Sequence, residues 1–224
     1  MFKRKKFKYS DLPPGDRIRK LMEEYVAPEL SKIGFKLLKS KLTLKRKIGN
    51  FTQEIHISKS DRNFGNTVVC FWAILSVNSN FYVKWHEKTY GIKPINEIID
   101  AWYDNHIETW KSKYRSGTKY DLTQFDNVKL MNDLTKNILN IGVPLLNEVA
   151  NWESAADYLL KHQKFGSISK IFDAYILANK KEKAIQSLHI AEEFFKTYED
   201  VPEERLTEIK IRKDYLQALN TNFS

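Results

Sequence analysis

The stretch that decides the fold runs from Gly34 to Val77 and reads GFKLLKSKLTLKRKIGNFTQEIHISKSDRNFGNTVVCFWAILSV. It holds the clearest strand patterns of the chain, a dense group of positive charges and the single cysteine. In residues 41–48, apolar side chains alternate with lysines and a threonine, as in a strand with one solvated face. After the turn dipeptide Gly49-Asn50, residues 51–58 alternate again. The sequence therefore predicts a β-hairpin here.

A third strand and a leading helix flank this hairpin. Residues 67–77 are apolar at nearly every position and rich in β-branched and aromatic types, which predicts a central strand covered on both faces. Between Ile18 and Ile33 the apolar residues follow helical spacing, so an amphipathic helix precedes the sheet. Pro28 interrupts that pattern and predicts a kink or a new helix at Ala27.

After residue 79 the sequence patterns are mostly those of helices. Residues 80–90 fit a helix or a strand, and the helix is favoured because Gly91 suits its end. A further helical stripe starts at Pro94 and extends to Tyr103. Residues 107–122 indicate a second hairpin or an irregular edge, and from Asp126 onward helical periodicity dominates.

These elements predict an α+β fold with a small antiparallel sheet of about 3–5 strands, a leading N-terminal helix and a C-terminal helical region. The predicted organisation is a basic, flexible arm over residues 1–10, a sheet domain over 11–125 and a helical region over 126–224 that packs on or beside the sheet. Within that region, the short polar connection 179–181 predicts two helices packed antiparallel as a hairpin.

The charge of the chain is unevenly distributed. Of the 224 residues, the first 60 carry 16 Lys and Arg against 6 Asp and Glu, whereas the remainder carries 21 against 22. The basic excess therefore lies in the first quarter, which suggests nucleic acid or an acidic partner. A soluble, lysine-rich surface is the alternative, because charge alone is weak evidence of binding.

The composition also predicts a compartment. No apolar run approaches the roughly 20 residues that span a bilayer, so no membrane partner is expected. The basic N-terminus is not followed by the apolar segment of a secretory signal, and one cysteine forms no internal disulfide. Both observations predict a cytoplasmic protein.

A family resemblance rests on the deciding stretch. The leading helix is followed by Gly34-Phe35, a basic strand with Arg46, and then Phe51-Thr-Gln53, Ile55-His-Ile57 and Lys59-Ser60 before an Asn-containing loop. With this pattern the segment from Glu29 to Val77 resembles the bacterial family catalogued as domain of unknown function 4304, and weaker likeness extends to Leu160. The resemblance implies an α+β fold with a small antiparallel sheet, and it supplies no activity, cofactor or catalytic residue.

Sequence motifs typical of catalytic, metal-binding or phosphate-binding sites are scarce. None of the five histidines has the spacing of a metal site, and the glycines stand alone rather than in a phosphate-binding loop, so no metal and no cofactor are predicted. Cys70 with His56 is the one nucleophile and base pair worth naming. Because Cys70 lies in the most apolar segment, a buried and unreactive thiol is the favoured interpretation.

Two groups of residues are candidate binding sites. Arg46 and Gln53 lie on the otherwise apolar faces of their strands, where a buried polar group must be paired. They either bond each other as part of the core or line a pocket between sheet and helices. The second group is the polar face of the hairpin, which is either a solvated face with cross-strand ion pairs or a binding surface. It comprises Lys41, Lys45, Lys47, Glu54 and His56.

Three functions follow in order of preference. The first is a non-enzymatic protein-interaction module, with an immunity-type role as one form of it, because catalytic motifs are missing and helical hairpins are present. The second is nucleic-acid binding through the basic sheet face and the N-terminal arm. The third is an enzyme with an unrecognised site, for which Arg46, Gln53, Glu54 and His56 would be tested first.

Overall fold

The chain divides into two compact units. A computed structural model describes residues 7–99, 101–162, 164, 167–198 and 200–221. The sheet unit comprises residues 1–79 and 100–147, and the helical unit comprises 80–99 and 148–224. The sequence placed one boundary near residue 125, whereas the structure gives residues 126–147 to the sheet unit and a segment of the first half to the helical unit.

The sheet unit contains an open antiparallel sheet. Its order is β1-β2-β3-β4-β7-β6, with β5 paired to β4 beside this path. The α+β class and the antiparallel sheet are confirmed, but the predicted 3–5 strands are too few. Strands of two or three residues show no alternation in sequence, and only their pairing reveals them. In the described residues the strands are β1 (Lys36–Leu38), β2 (Thr43–Ile48), β3 (Phe51–Lys59), β4 (Cys70–Asn78), β5 (Trp102–Tyr103), β6 (Arg115–Ser116) and β7 (Lys119–Asp121).

The three long strands each bury one face. β3 alternates between buried and partly exposed side chains along its whole length, as its sequence predicts. β4 is central, as predicted, but the prediction that both its faces are covered is wrong. From Phe71 to Asn78 its buried side chains alternate with partly exposed ones such as Trp72 and Ile74. Aromatic and β-branched residues are common on either face of a sheet, so an apolar run does not prove burial on both.

Two interrupted helices complete the sheet unit. The first is α1 (Pro14–Leu21), which passes through the π-helical turn Met22–Val26 into α2 (Ala27–Ser31), so the predicted new helix at Ala27 is confirmed. The second is α4 (Asn127–Asn137), which passes through the π-helical turn Ile138–Gly142 into α5 (Val143–Glu148). Gly142 lets this second helix approach the sheet, since an added Cβ would lie 3.3 Å from the Leu75 side chain of β4.

The helical unit is built around one central helix. Its helices are α3 (Asn80–Tyr90), α6 (Trp152–Lys161), α7 (Ile168–Leu177), α8 (Lys181–Phe195) and α9 (Glu203–Thr221). Helix α7 packs against α6, α8 and α9. The turn between α7 and α8 contains Asn179 at a φ of 58°, in agreement with the predicted helical hairpin. None of the described helices is long and apolar enough to cross a bilayer.

The sequence predicts one helix on each side of Gly91, and the residues that the structure describes contain only the first of them. The helix over 80–90 is confirmed by α3. The helix predicted from Pro94 to Tyr103 is wrong: the described part of 94–101 is not helical, and Trp102 and Tyr103 form β5. The physical reason is tertiary, because these two residues satisfy the free edge of β4 opposite Leu75 and Ile74.

Candidate functional site

Arg46 and Gln53 bond each other within the covered side of the sheet. They are direct partners in the β2–β3 register. Arg46 Nε and Nη2 donate to Gln53 Oε1 at 2.9 and 2.6 Å, and Gln53 Nε2 donates to the Leu146 carbonyl at 2.8 Å. The structure therefore brings this predicted pair together, and it ties α5 to β3.

Further contacts enclose the Arg46 guanidinium. Nη1 donates to the Ile33 carbonyl at 3.0 Å, Nη2 donates to Asn147 Oδ1 at 2.6 Å, and the group lies 4.5 Å from the centre of the Phe35 ring. Neither of the two grooves found in the separate units, of about 530 and 400 Å³, is lined by Arg46 or Gln53. Their hydrogen bonds hold neighbouring segments to the sheet, so we assign the buried Gln53 to the core and the partly exposed Arg46 to its edge.

The opposite side of the sheet forms what we call the open face. The antiparallel register places its side chains in rows across the strands, and one row runs Leu38, Thr43, His56, Ile74, Tyr103. A neighbouring row runs Lys36, Lys45, Glu54, Ser76. Most of these side chains are partly or fully exposed. This side of the sheet is therefore accessible, in contrast to the side that carries Arg46 and Gln53.

Lysines dominate the charge of the open face. Lys36 and Lys47 are exposed on β1 and β2, and Lys41 is exposed in the turn that precedes β2. Lys45 is held by Glu54 at 2.6 Å, with 35% of its side chain accessible. At the far end of the face, Lys119 of β7 lies 4.9 Å from the centre of the Trp72 ring. The register places Lys45, Lys47, Glu54 and His56 of the predicted set on one side of the sheet, with Lys45 and Glu54 as the cross-strand pair. Lys41, predicted on the same strand, lies instead in the turn before β2, because Leu42 at a φ of 48° breaks the extended backbone.

His56 lies at the centre of the open face and is half-buried. The Thr43 hydroxyl donates to the Lys41 carbonyl at 3.0 Å, which leaves its oxygen to accept from His56 Nδ1 at 3.0 Å. Burial lowers the pKa of His56 below its ordinary value of 6.5, although the Lys41 backbone and Glu54 oppose this effect. At neutral pH the imidazole is therefore uncharged.

This lowered pKa predicts a pH dependence of stability. The folded state disfavours the charged imidazole, so His56 supports stability above pH 6.5 and this support is lost as pH falls through the lower folded pKa. We expect the difference in unfolding free energy between wild type and His56→Gln to shrink between pH 7 and pH 5, as measured by urea denaturation. A difference that stays constant over this range would contradict the assignment.

An aromatic pair on the open face was missed by the sequence reasoning. Tyr103 is 42% exposed, and its ring centre lies 5.6 Å from that of His106, which is also exposed. The sequence pattern placed Tyr103 on a helix, so nothing connected it to the sheet. The signal that could have found it is the β-propensity of Trp102-Tyr103, which is weak in a strand of two residues.

Cys70 and His56 do not meet. Cys70 lies beyond the paired residues Lys59 and Phe71, whereas His56 pairs with Ile74, so the two side chains lie about four strand positions, or roughly 13 Å, apart. Burial, with Asp121 nearby, raises the pKa of the Cys70 thiol to about 11. The thiol is protonated at neutral pH, which fits the buried, unreactive cysteine predicted from the sequence.

The helical unit contains a separate ionic cluster around a buried ion pair. Asp173 of α7 is completely buried and accepts hydrogen bonds from Tyr82 and Tyr90 of α3, at 3.0 and 2.9 Å. Arg212 of α9 donates to the same carboxylate at 2.9 and 3.3 Å. The cluster joins three helices and its ion pair is buried, so it supports the fold of this unit.

Searches for a metal site and for relatives return nothing that assigns a function. Across the part of the chain that the structure describes, no three His, Cys, Asp or Glu side chains are grouped so as to hold a metal ion. Comparisons with family models, curated proteins and solved structures find no match to this chain. The resemblance to the domain of unknown function therefore stays a prediction, and the open face is the feature of this chain that best indicates a function.

Proposed function

We propose that this chain is a non-enzymatic binding protein whose open face binds nucleic acid. The observation that carries the proposal is an accessible sheet surface with exposed lysines on β1 and β2 and partly exposed aromatic side chains on β4 and β5. A positively charged surface attracts the phosphate backbone, and aromatic rings offer stacking contacts to bases. The sequence alone ranks nucleic-acid binding second of three functions. The exposure of the open face supports ranking it first.

The arrangement of the charges suits phosphate contacts. Lys36, Lys41 and Lys47 are exposed near one end of the sheet, and Lys119 of β7 lies near the other. Each ammonium is a mobile point charge on a flexible stem, so it can follow a phosphate backbone without reading sequence. The predicted basic arm would add to this charge, although its residues 1–6 lie outside the described part of the chain. From residue 8 onward the chain is anchored, since the Lys8 amide donates to Asn127 Oδ1 at 2.9 Å.

Reversing the charge of two exposed lysines should sharply weaken the binding of nucleic acid. We expect Lys36→Glu with Lys47→Glu to raise the Kd for a fluorescein-labelled 20-nucleotide RNA or DNA strand at least tenfold at about 50 mM salt, measured by fluorescence anisotropy. Losing two phosphate contacts should also flatten the slope of log K against log salt by about 1.4.

The matched control is Lys129→Glu with Lys136→Glu, which changes the net charge equally on the exposed side of α4. It should retain at least half of the wild-type affinity. Equal losses in the two double variants would show a general charge effect rather than a binding face. A wild-type protein with no detectable affinity at low salt, or with salt-independent affinity, would refute nucleic-acid binding.

A protein-interaction module, including one of immunity type, is the second candidate. The observation that favours it is two exposed side chains on this face, Leu38 and Tyr103, which are 40% and 42% exposed and have lysines to the side. Apolar and aromatic side chains flanked by charged ones are common in protein interfaces, and here the lysines would fit an acidic partner. In nuclease-treated lysate, a stoichiometric protein partner should be retained by wild type and by the α4 control and lost by the open-face variant.

A further inference from the structure

We propose that the open face selects single-stranded over duplex nucleic acid, and that Tyr103 is the platform on which an unpaired base stacks. This inference rests on the proposed function and names its ligand class. It is carried by the position of one exposed aromatic side chain on a rigid edge strand of the basic sheet.

Tyr103 is held by main-chain pairing and by the residue that follows it. It lies opposite Ile74 in the β4–β5 register, and Asp104 Oδ2 accepts from the Ala73 amide at 2.9 Å. Asp104 is completely buried, so strand pairing and this carboxylate together tie the backbone at the tyrosine to β4. A ring presented on a fixed strand loses little conformational entropy when a base stacks on it.

The neighbours of Tyr103 extend the platform. The exposed His106 ring lies beside it, with 46° between the ring planes, so the two aromatic side chains form one patch. Trp72 lies two residues before Ile74 on β4 and is partly exposed. Lys119 lies over its ring and also donates to Ser60 Oγ at 3.0 Å. This end of the face therefore offers stacking surfaces next to an ammonium group that can pair with phosphate.

The distance across the sheet favours a single strand that spans it. From β1 to β5 there are four strand spacings, or about 19 Å between Lys36 and Tyr103. A flexible single strand can place its phosphates on the lysines and turn a base onto the aromatic patch. In a duplex the bases are stacked and paired inside the helix, so the tyrosine would meet only the sugar-phosphate backbone.

The test compares strands and tyrosine variants at fixed salt. Fluorescence anisotropy would measure Kd for labelled oligouridine and oligothymidine 12-mers and for a 12-base-pair duplex. We expect both single strands to bind at least tenfold more tightly than the duplex. Tyr103→Ala should raise the single-strand Kd about 5- to 150-fold, which corresponds to the loss of one stacked base, and leave the duplex Kd within twofold.

Three further variants make the result specific. Tyr103→Phe retains the ring and should bind single strands within twofold of wild type. Tyr103→Leu retains apolar cover over Ile74 without an aromatic ring, so it should lose affinity like the alanine variant even if the latter folds poorly. Tyr198→Ala removes a tyrosine that is 53% exposed in the helical unit, and it should leave both affinities unchanged.

The outcomes separate this inference from the function on which it rests. Equal affinity for single strands and duplex, or unchanged single-strand affinity in Tyr103→Leu, would overturn the stacking site. If Lys36→Glu with Lys47→Glu still weakens binding in that case, nucleic-acid binding by the open face stands. If no probe binds the wild-type protein, both proposals fail.

Discussion

Replacing Asp173 with alanine should lower the free energy of unfolding by about 3–5 kcal/mol, because it leaves the Arg212 guanidinium buried without its counter-charge. Asp173 is fully buried and only 2% of Arg212 is exposed. The same substitution removes the acceptor of the Tyr82 and Tyr90 hydroxyls. Each buried hydroxyl left without a partner adds to the loss.

The geometry of the cluster explains the size of this effect. Arg212 contacts both carboxylate oxygens of Asp173, which is the bidentate arrangement that makes an ion pair directional and strong. A third hydrogen bond joins Arg212 Nη2 to His86 Nε2 at 3.0 Å, while His86 Nδ1 donates to the Ile92 carbonyl at 2.7 Å. Removing the carboxylate therefore breaks the hydrogen bonds that join α7 to both α3 and α9.

Urea denaturation followed by circular dichroism would measure the effect. Glu193→Ala is the matched control, since it removes a carboxylate that is 52% exposed and paired with Lys196 on α8, and it should change stability far less. The double variant Asp173→Leu with Arg212→Met leaves no buried charge and should regain part of the loss. If Asp173→Ala were as stable as the Glu193→Ala control, the cluster would not be what holds the helices together.

Replacing Asp104 with alanine should cost about 3–5 kcal/mol in the sheet unit, for two reasons that act together. Its carboxylate lies 3.2 Å from Arg115 Nη2, and both groups are buried, with 10% of the arginine side chain exposed. It also accepts from the Ala73 amide at 2.9 Å. The variant therefore leaves a buried charge and a buried backbone donor without partners.

The position of Ala73 shows why a carboxylate is needed there. β4 pairs with β7 at Cys70 and Phe71 and with β5 at Ile74 and Leu75, so Ala73 falls between the two partners. The Asp104 side chain takes the place of a strand carbonyl at this gap. Burial raises the pKa of Asp104 above its ordinary value, even though Ala73 and Arg115 both favour the ionised form.

Thermal and urea unfolding would measure the stability of Asp104→Ala beside that of two comparison variants. Asp104→Asn keeps an oxygen for the Ala73 amide but not the charge, so it should lie between wild type and Asp104→Ala. Asp126→Ala removes the N-cap of α4, where Oδ1 accepts from the Lys129 amide at 3.1 Å, and should cost about 1 kcal/mol. A loss in Asp104→Ala no larger than in the capping variant would mean that Arg115 finds another partner.

The core of the sheet could be derived from sequence because its information is local. The turn Gly49-Asn50 joins two alternating strands directly, so it sets their register and makes Arg46 a partner of Gln53. The same alternation separates an apolar face from a lysine face, and Pro28 marks the start of a helix at Ala27. Helical periodicity likewise identifies α3 and the α7–α8 hairpin, whose patterns run for at least ten residues.

Tertiary structure alone decided the rest, since it depends on residues far apart in sequence. β5 has two residues, too few to show a period, and only the free edge of β4 makes Trp102 and Tyr103 a strand. Asp173 bonds Tyr82 and Arg212, 91 and 39 positions away, so no local pattern marks it as buried. The sequence by itself determined that one face of the sheet carries lysines. Only the fold left that face uncovered and placed Tyr103 on it, because burial is set by long-range packing and not by periodicity.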